Sequence, residues 1–584
     1  MRRPTLSLFE KKIVSELSSD LLMKHTREIS RYVRVSGSED EAKSLEYVRN
    51  VLGNYGFKIQ EYHVDAYIGY PLMARLDIKG PGSRRITGTS NALAPSTSPH
   101  GVNGEIVDLE SGDEHSFSKA AVDGKLALLH GLAEPEVAKR AEKHGAVGEI
   151  FINDDYAHEG TVSVVWGTPR AETVHLLPRT PCITISNREG ECVKSLLAKR
   201  QVSARLVTHT WRGWRKIPIV TADIPGNVEP DRFVMLSGHI DSWHYGAMDN
   251  GSANAAMIEV GRIISKHRKL LRRGLRIAFW SGHSHGRYAG SAWYADNFWL
   301  DLEKNCVAHV NVDSLGARGA TLLSEAPVMS SARDFASAIV EKVAGQKLSG
   351  RDLSRAGDQS FVGIGMPSIF MELSQVPIEA KGVESTAKAL NVIGSSLSGL
   401  GWWWHTPEDT IDKIDPGNLL RDARIYALIT LALCTNPILP FDYRKTTEEM
   451  KRTLEELQAS VHENFDLSFL VKQTNDLLAV LKLFYGRRKK LKAKRQLDAF
   501  NGVLIELGHL LIPVTHSSKG RFDHELAISV PIMPCFQEVK RLSALNKNSD
   551  EFKFLCNGLR REANCVAYAL NESVEIVGRA MDMK

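Results

Sequence analysis

Cysteine is scarce and scattered in this 584-residue chain. There are seven, an odd number, with no Cys-x-x-Cys pair. That excludes a disulfide framework and a zinc ribbon. No sign of charge dominates: 74 Lys and Arg face 69 Asp and Glu, for a net charge of +5. A dedicated nucleic-acid binder needs a stronger basic footprint, so no nucleic-acid partner is expected. Long apolar runs are missing too. IYALITLALC at 425–434 is too short to span a bilayer and reads as a buried helix, so no membrane partner is expected. The first twenty residues, MRRPTLSLFEKKIVSELSSD, have no apolar core of signal-peptide length. The simplest expectation is a cytoplasmic protein. A G-x-S-x-G elbow, a P-loop and a dinucleotide fingerprint are all absent, which excludes the commonest serine-hydrolase and nucleotide chemistries.

What is present is ordinary globular composition, with 43% hydrophobic and 24% charged residues, long enough for several cores. Residues 8–53 carry helical periodicity, and 57–67 alternate like a strand. From about 70 to 215 short strands and turns dominate, as in KLALLHG and PCITIS, which suggests an inserted β-rich unit. From 217 strands and helices alternate: RFVMLSGHID, then GSANAAMIEVGRIISKH, LRIAFWSGH, NCVAHVNVDSLG and PSIFMELS. This order predicts an α/β core with a mostly parallel mixed sheet. Beyond 440 the patterns are long amphipathic helices. The expected domains are therefore 1–69 with 216–440, an insertion at 70–215, and a helical unit at 441–584. The basic run RRKKLKAKR at 487–495 reads as a solvated helix face or loop, with an anion, acidic-partner or RNA patch as the alternative.

Chemistry in such a sheet gathers beyond the C-terminal strand ends. His239 and Asp241 end one expected strand and Asp313 another. Asp249 lies ten residues after His239, and His405 lies in WWWHTPEDT. Two imidazoles with carboxylates are ligand types for zinc or a similar divalent ion. Asp241, two residues from His239, is placed to accept its other ring N–H.

These segments carry a resemblance. SGHIDSWHYGAMDNGSANAAMIEVGRII resembles the metal-binding segment of metallopeptidase family 28, which includes aminopeptidases and the glutamate carboxypeptidase–transferrin receptor group. LRIAFWSGHSHGRYAGSAWYAD, HVNVDSLG, GDQSFVGIGMPSIFM and WHTPEDTIDKIDPGNLL resemble further family segments in order. The insertion, with HGAVGEIFIND, resembles a protease-associated domain. The resemblance implies one metal on His239, Asp249 and Asp313, a second on the bridging Asp249 and His405, and an orienting role for Asp241. It also implies a homodimer through 441–584.

One departure decides the chemistry. The family motif W-x-G-E-E-x-G supplies a general base and a metal ligand. Here Trp280-Ser281-Gly282 is followed by His283, Ser284, His285 and Gly286. Both carboxylates are gone. His283 is the candidate acid/base and His285 its competitor, and either could instead replace the lost ligand. The expected function is metal-dependent hydrolysis of a peptide-like or small-molecule amide bond. It would use one or two divalent transition-metal ions, zinc first, with iron, manganese, cobalt or nickel as alternatives. The competing reading is a non-catalytic pseudo-peptidase that binds a partner. Weaker signals are His244, read as loop packing; Arg287, read first as a surface helix group and second as a grip for a substrate carboxylate; Arg351 and Arg355, equally ambiguous; Trp402–Trp404, as core or pocket wall; and Asp358, read as structural.

Overall fold

The computed structural model describes residues 5–350, 357–383, 386 and 398–582; Arg351 and Arg355 lie outside them. Three N-terminal helices, Leu8–Glu16, Ser19–Ile29 and Glu39–Asn54, start at Ser7, Ser18 and Ser38, whose hydroxyls accept the first free amide protons. Strand β1 (Lys58–Ile78) follows, then β2 (Arg84–Gly88), β3 (Val102–Asp108), β4 (Leu126–His130), β5 (Gly148–Ile152) and β6 (Cys182–Ile185). The core returns through β7 (Ser203–Ile224), β8 (Glu229–His239), β9 (Arg273–Trp280), β10 (Cys306–Asp313) and β11 (Ser368–Glu372).

All belong to one sheet, ordered β11-β10-β8-β9-β7-β3-β4-β5-β6, with β1 paired to β7 and β2 to β1. β8, β9, β10 and β11 run parallel, as do β3 to β6. The mixed α/β expectation is met. The boundaries expected at 70 and 215 fall inside β1 and β7, which pair antiparallel from Lys58↔Asp223 to Ile78↔Ala204. The inserted unit is therefore an extension of the core sheet, with its own apolar clusters around Leu128 and Phe151. This rigid ribbon fixes where the insertion's loops lie against the core.

The apolar stretch at 425–434 lies in the helix Pro416–Thr435, capped by Asp415 and started by a proline. The helical unit comprises Tyr443–Val461, Ser468–Gly486, Lys494–His516 and Asp550–Asp582. Its buried side chains join those of the core helices in one continuous apolar cluster, from Ile13 to Val577. Lys494–His516 is long and apolar enough to cross a membrane by length and composition alone, yet half of its apolar window is buried inside the protein. The basic run 487–495 bridges two helices and is largely exposed, as a solvated connection would be. All seven cysteines are free.

Candidate metal centre

Four parallel strands deliver side chains to one edge. β8 ends on His239, β10 on Asp313 and β11 on Glu372, while β9 ends at Trp280, just before the altered motif. In parallel strands the polar loops gather at the carboxyl end, and all of these lie there. Asp313 and Glu372 line a cavity of about 200 Å³ together with Asp249, His283 and His405. Its other walls come from elsewhere: Glu134 and His158–Thr161 from the insertion, and Ala527–Ser529 from the helical unit.

Three imidazoles are set by the same device. His239 Nδ1 lies 2.9 Å from the main-chain oxygen of Asp241, His405 Nδ1 lies 2.7 Å from that of Glu159, and His283 Nδ1 lies 3.0 Å from Asp358 Oδ2. Each partner accepts, so each ring places an N–H on Nδ1 and turns its Nε2 elsewhere. His239 Nε2 faces Asp249 Oδ1 at 2.8 Å and Asp313 Oδ1 at 3.6 Å. His405 Nε2 faces Asp249 Oδ2 at 2.9 Å. Asp249 thus offers one oxygen to each imidazole.

This arrangement fits a cation. A lone pair and a carboxylate oxygen at such distances repel unless a proton or a metal ion lies between them. Buried His239 Nε2 and Asp249 Oδ1 also have no hydrogen-bond partner among the described residues. Burial alone would raise the pKa of Asp249; the neighbouring His239 and His405 outweigh it and hold the carboxyl well below the usual range. Donor atoms of His239, His283 and Asp313 lie within 4.8 Å of one another. Rings 239 and 283 stack at 3.7 Å and 9°.

The loop from β8 to Asp249 is held from beneath. Asp409, in the HTPEDT segment, accepts the amides of Met248 (2.8 Å) and Asp249 (3.0 Å). Asn250 donates to the main-chain oxygens of His239 and Val312, tying the ends of β8 and β10. Gly246 sits at φ +53°, where a Cβ would come within 2.2 Å of the Asp249 carbonyl. Arg34 is fully buried and donates to the carbonyls of Ile240 (2.7 Å), Tyr245 (2.7 Å) and Gly246 (3.0 Å), as well as Ile29 and Tyr32. Burial pulls its pKa down to about 10 against the pull of Asp409, Asp249 and Asp241. Nothing in the sequence marked Arg34, because its partners are all backbone oxygens, three of them more than 200 residues away.

Several expected residues occupy places other than those anticipated. Asp241 is fully buried, and its main-chain oxygen, rather than its carboxylate, takes the close bond from His239; Oδ1 is 3.5 Å away. The carboxylate instead accepts from the Ser36 hydroxyl (2.6 Å) and the Ser284 amide (2.9 Å), bracing the altered motif. His285 points below the cavity: its Nδ1 lies 2.9 Å from Ser36 Oγ, and its ring packs on Trp243. The chain reverses after His283, so the two imidazoles of the motif diverge, and His285 is not among the clustered donors. Ser284 turns its amide to Asp241, and its buried hydroxyl has no partner among the described residues.

Asp358, read as structural, holds His283 and accepts the Ser291 hydroxyl at 2.6 Å. Arg287 lines the cavity rather than a surface helix, and Trp404 lines it while stacking on His405 at 3.5 Å. Trp402 stacks on Tyr156, and Trp403 is buried. His244 lies 3.5 Å from Glu159 in the neighbouring loop. Arg287, Tyr288, Ser314 and His405 are four of the eight described non-glycine residues with positive φ, so left-handed backbone concentrates at this cavity.

Comparison with known proteins agrees with the geometry. Residues 220–430 match the model of peptidase family M28. Probable glutamate carboxypeptidase AMP1 of Arabidopsis thaliana is 23% identical over 564 residues, spanning 82% of this chain and 77% of that protein. Probable glutamate carboxypeptidase VP8 of Zea mays is 24% identical, spanning 74% and 66%. The fold matches an aminopeptidase from Aneurinibacillus sp. strain AM-1 (TM-score 0.53, 20% identity, 73% of this chain and 96% of that one). It also matches the zinc aminopeptidase BSAP of Bacillus subtilis (TM-score 0.52, 18% identity, 71% and 95%). The peptidase family M28 match thus falls on the stretch that carries His239, Asp249, Asp313 and His405.

Proposed function

We propose that this chain is a metal-dependent hydrolase of peptide-like or small-molecule amide bonds, with a centre rebuilt around His283. One observation carries this reading. His283 occupies the place of the lost general base, holds its proton on Nδ1 against Asp358, and stacks on His239, whose Nε2 faces Asp249 and Asp313. His239, Asp249 and Asp313 would hold one divalent ion, and Asp249 with His405 would hold a second. Imidazole and carboxylate donors suit zinc, the metal named for the BSAP aminopeptidase. A bound ion would supply Lewis acidity to the scissile carbonyl and to the attacking water.

The protein's own part is proton handling and exclusion of solvent. His283 Nε2 is the outward nitrogen of an Asp–His pair, placed to take a proton from water and return it to the leaving nitrogen. Trp404 shields His405, and the insertion and helical unit close the cavity from above.

A second reading gives His283 a ligand's place. The clustering of its donor atom with those of His239 and Asp313 favours it. In that case the acid/base would be sought among the other carboxylates of the wall.

The test is elemental analysis of protein purified without added metal, beside His239→Ala, followed by turnover on an amide library with His283→Ala. One or two equivalents of metal lost in His239→Ala, and turnover lost in His283→Ala, support the proposal. A protein that stays metal-free after reconstitution, or that turns over amides equally well when stripped, refutes it and leaves the binding-protein alternative.

A further inference from the structure

We infer that the connection at 487–495 docks this protein onto a membrane surface bearing anionic lipid headgroups. None of these residues lines the cavity, so the inference is independent of the hydrolase reading above.

Arg487, Arg488, Lys489, Lys490, Lys492, Lys494 and Arg495 put seven cations into nine residues with no carboxylate among them. All seven are exposed. They join the helix Ser468–Gly486 to the helix Lys494–His516. The connection is held in place. Leu491 packs against the main apolar cluster, Arg487 donates to the Met581 carbonyl at 2.6 Å, and Gln496 Oε1 accepts the amides of Lys492 (3.4 Å) and Ala493 (3.3 Å). What the cations lack is an internal counter-charge. Lys494 pairs with Asp498 at 2.5 Å, but Arg488, Lys489, Lys490, Lys492 and Arg495 form no ion pair among the described residues. Helix ends do not account for them. A carboxyl end favours cations, which suits Arg487 and Arg488. An amino end disfavours them, yet Lys494 and Arg495 occupy a first turn that holds no acidic residue. Like charges this close repel, so the cluster is a cost to the chain by itself.

Charge complementarity calls for an anionic partner, and a neighbouring side chain points to its kind. Leu483 lies one helical turn before Arg487, on the same face, and is 64% exposed. An exposed leucine beside a row of cations matches the boundary of a bilayer, where anionic headgroups meet acyl chains. Residues 486–499 contain no aromatic side chain to stack on bases, as a single-stranded nucleic-acid surface would. Surface docking needs no spanning helix, and through one short basic segment it is reversible and salt-dependent.

The test is sedimentation of the full-length protein with vesicles of phosphatidylcholine, alone or with about 30% phosphatidylserine, at about 0.15 M and about 1 M salt. The parent should bind the anionic vesicles at least about tenfold more tightly than the neutral ones, and the higher salt should release it. Lys489→Gln combined with Lys490→Gln should weaken binding by about 25-fold, at about fivefold for each cation. Leu483→Ser should weaken it by a smaller factor. These side chains are exposed, so circular dichroism should show both variants folded as the parent is. A parent without preference for anionic vesicles overturns the inference, and so does a double variant that keeps the full preference. Poly-glutamate and poly-uridylate are titrated beside the vesicles at equal anion concentration. Tighter binding to either polymer, with Leu483→Ser indifferent, would make the partner a soluble polyanion and likewise overturn it. A metal-free, inactive protein that still docks on anionic vesicles sinks the hydrolase reading and leaves this one standing.

Discussion

Arg34→Met offers a measurement of what holds the candidate centre together. Methionine fills similar space but donates nothing. Five main-chain oxygens would lose this donor: Ile29 would keep the Ser44 hydroxyl and Gly246 the Gly251 amide, while Tyr32, Ile240 and Tyr245 would lose the guanidinium bond with no such replacement. The charge facing Asp409, Asp249 and Asp241 would go as well. Some of the loss is offset, because burying the cation is itself costly, as its lowered pKa shows. Removing one partner of a buried charged network typically costs about 3–5 kcal/mol. At 1.4 kcal/mol per tenfold, that is a loss of about 10²-fold or more in the closing equilibrium of the 240–250 loop.

Hydrogen exchange of that segment, followed by mass spectrometry, reads the equilibrium directly and avoids a whole-molecule midpoint, which has no single meaning in a chain of several units. Metal content measured alongside should fall. Arg34→Lys, with the charge kept and fewer donors, should lie between. Protection of 240–250 within about threefold of the parent in Arg34→Met, with undiminished metal content, would refute the claim that this residue supports the site.

Three further outcomes are expected. Asp358→Asn should lower turnover by about 10²-fold or more at unchanged metal affinity if His283 moves protons. A 10–100-fold drop in metal affinity, read by chelator competition, would instead give His283 the ligand's place. Gly246→Ala should abolish metal binding, since a Cβ there meets the Asp249 carbonyl at 2.2 Å; elemental analysis showing parental metal content would contradict the packing. Glu149 is fully buried in β5 and bonded to Thr180, and burial raises its pKa to about 8 from 4.5. Between those values the folded state keeps a proton that the unfolded state has lost, so stability must fall as pH rises from about 4.5 to about 8 and then level off, by on the order of a few kcal/mol. Glu149→Gln should flatten that dependence and be the more stable form at pH 9; parallel urea midpoints for the two proteins across this range would argue against it.

Much of the fold could be read in advance because its signals are local. The strand of RFVMLSGHID, the helix after GSANAAM and the buried helix at 425–434 follow from periodicity, capping and run length over a dozen residues. His239, Asp249, Asp313 and His405 were legible because strand ends and a recognisable segment order marked them. His283 stood out because it replaced a carboxylate. The motif could not reveal that His283 and His285 diverge, since that depends on how the chain turns after Gly282 and on what Ser36 and Trp243 offer below.

The sequence by itself therefore determined the α/β core and the helical unit and marked the candidate donor residues, through short-range pattern and side-chain chemistry. Only the tertiary structure decided which nitrogen each donor turns to the cavity. The Glu159 carbonyl, from the insertion, fixes His405; the carbonyl of Asp241 fixes His239; Asp358, from a distant loop, fixes His283. It also brought Arg34 under the 240–250 loop and Arg287 into the cavity wall. The physical reasons are two. A backbone carbonyl, such as those that hold His239 and His405, carries no residue-specific signature, and a bond between residues far apart in the chain, such as His283 with Asp358, leaves no periodicity to read.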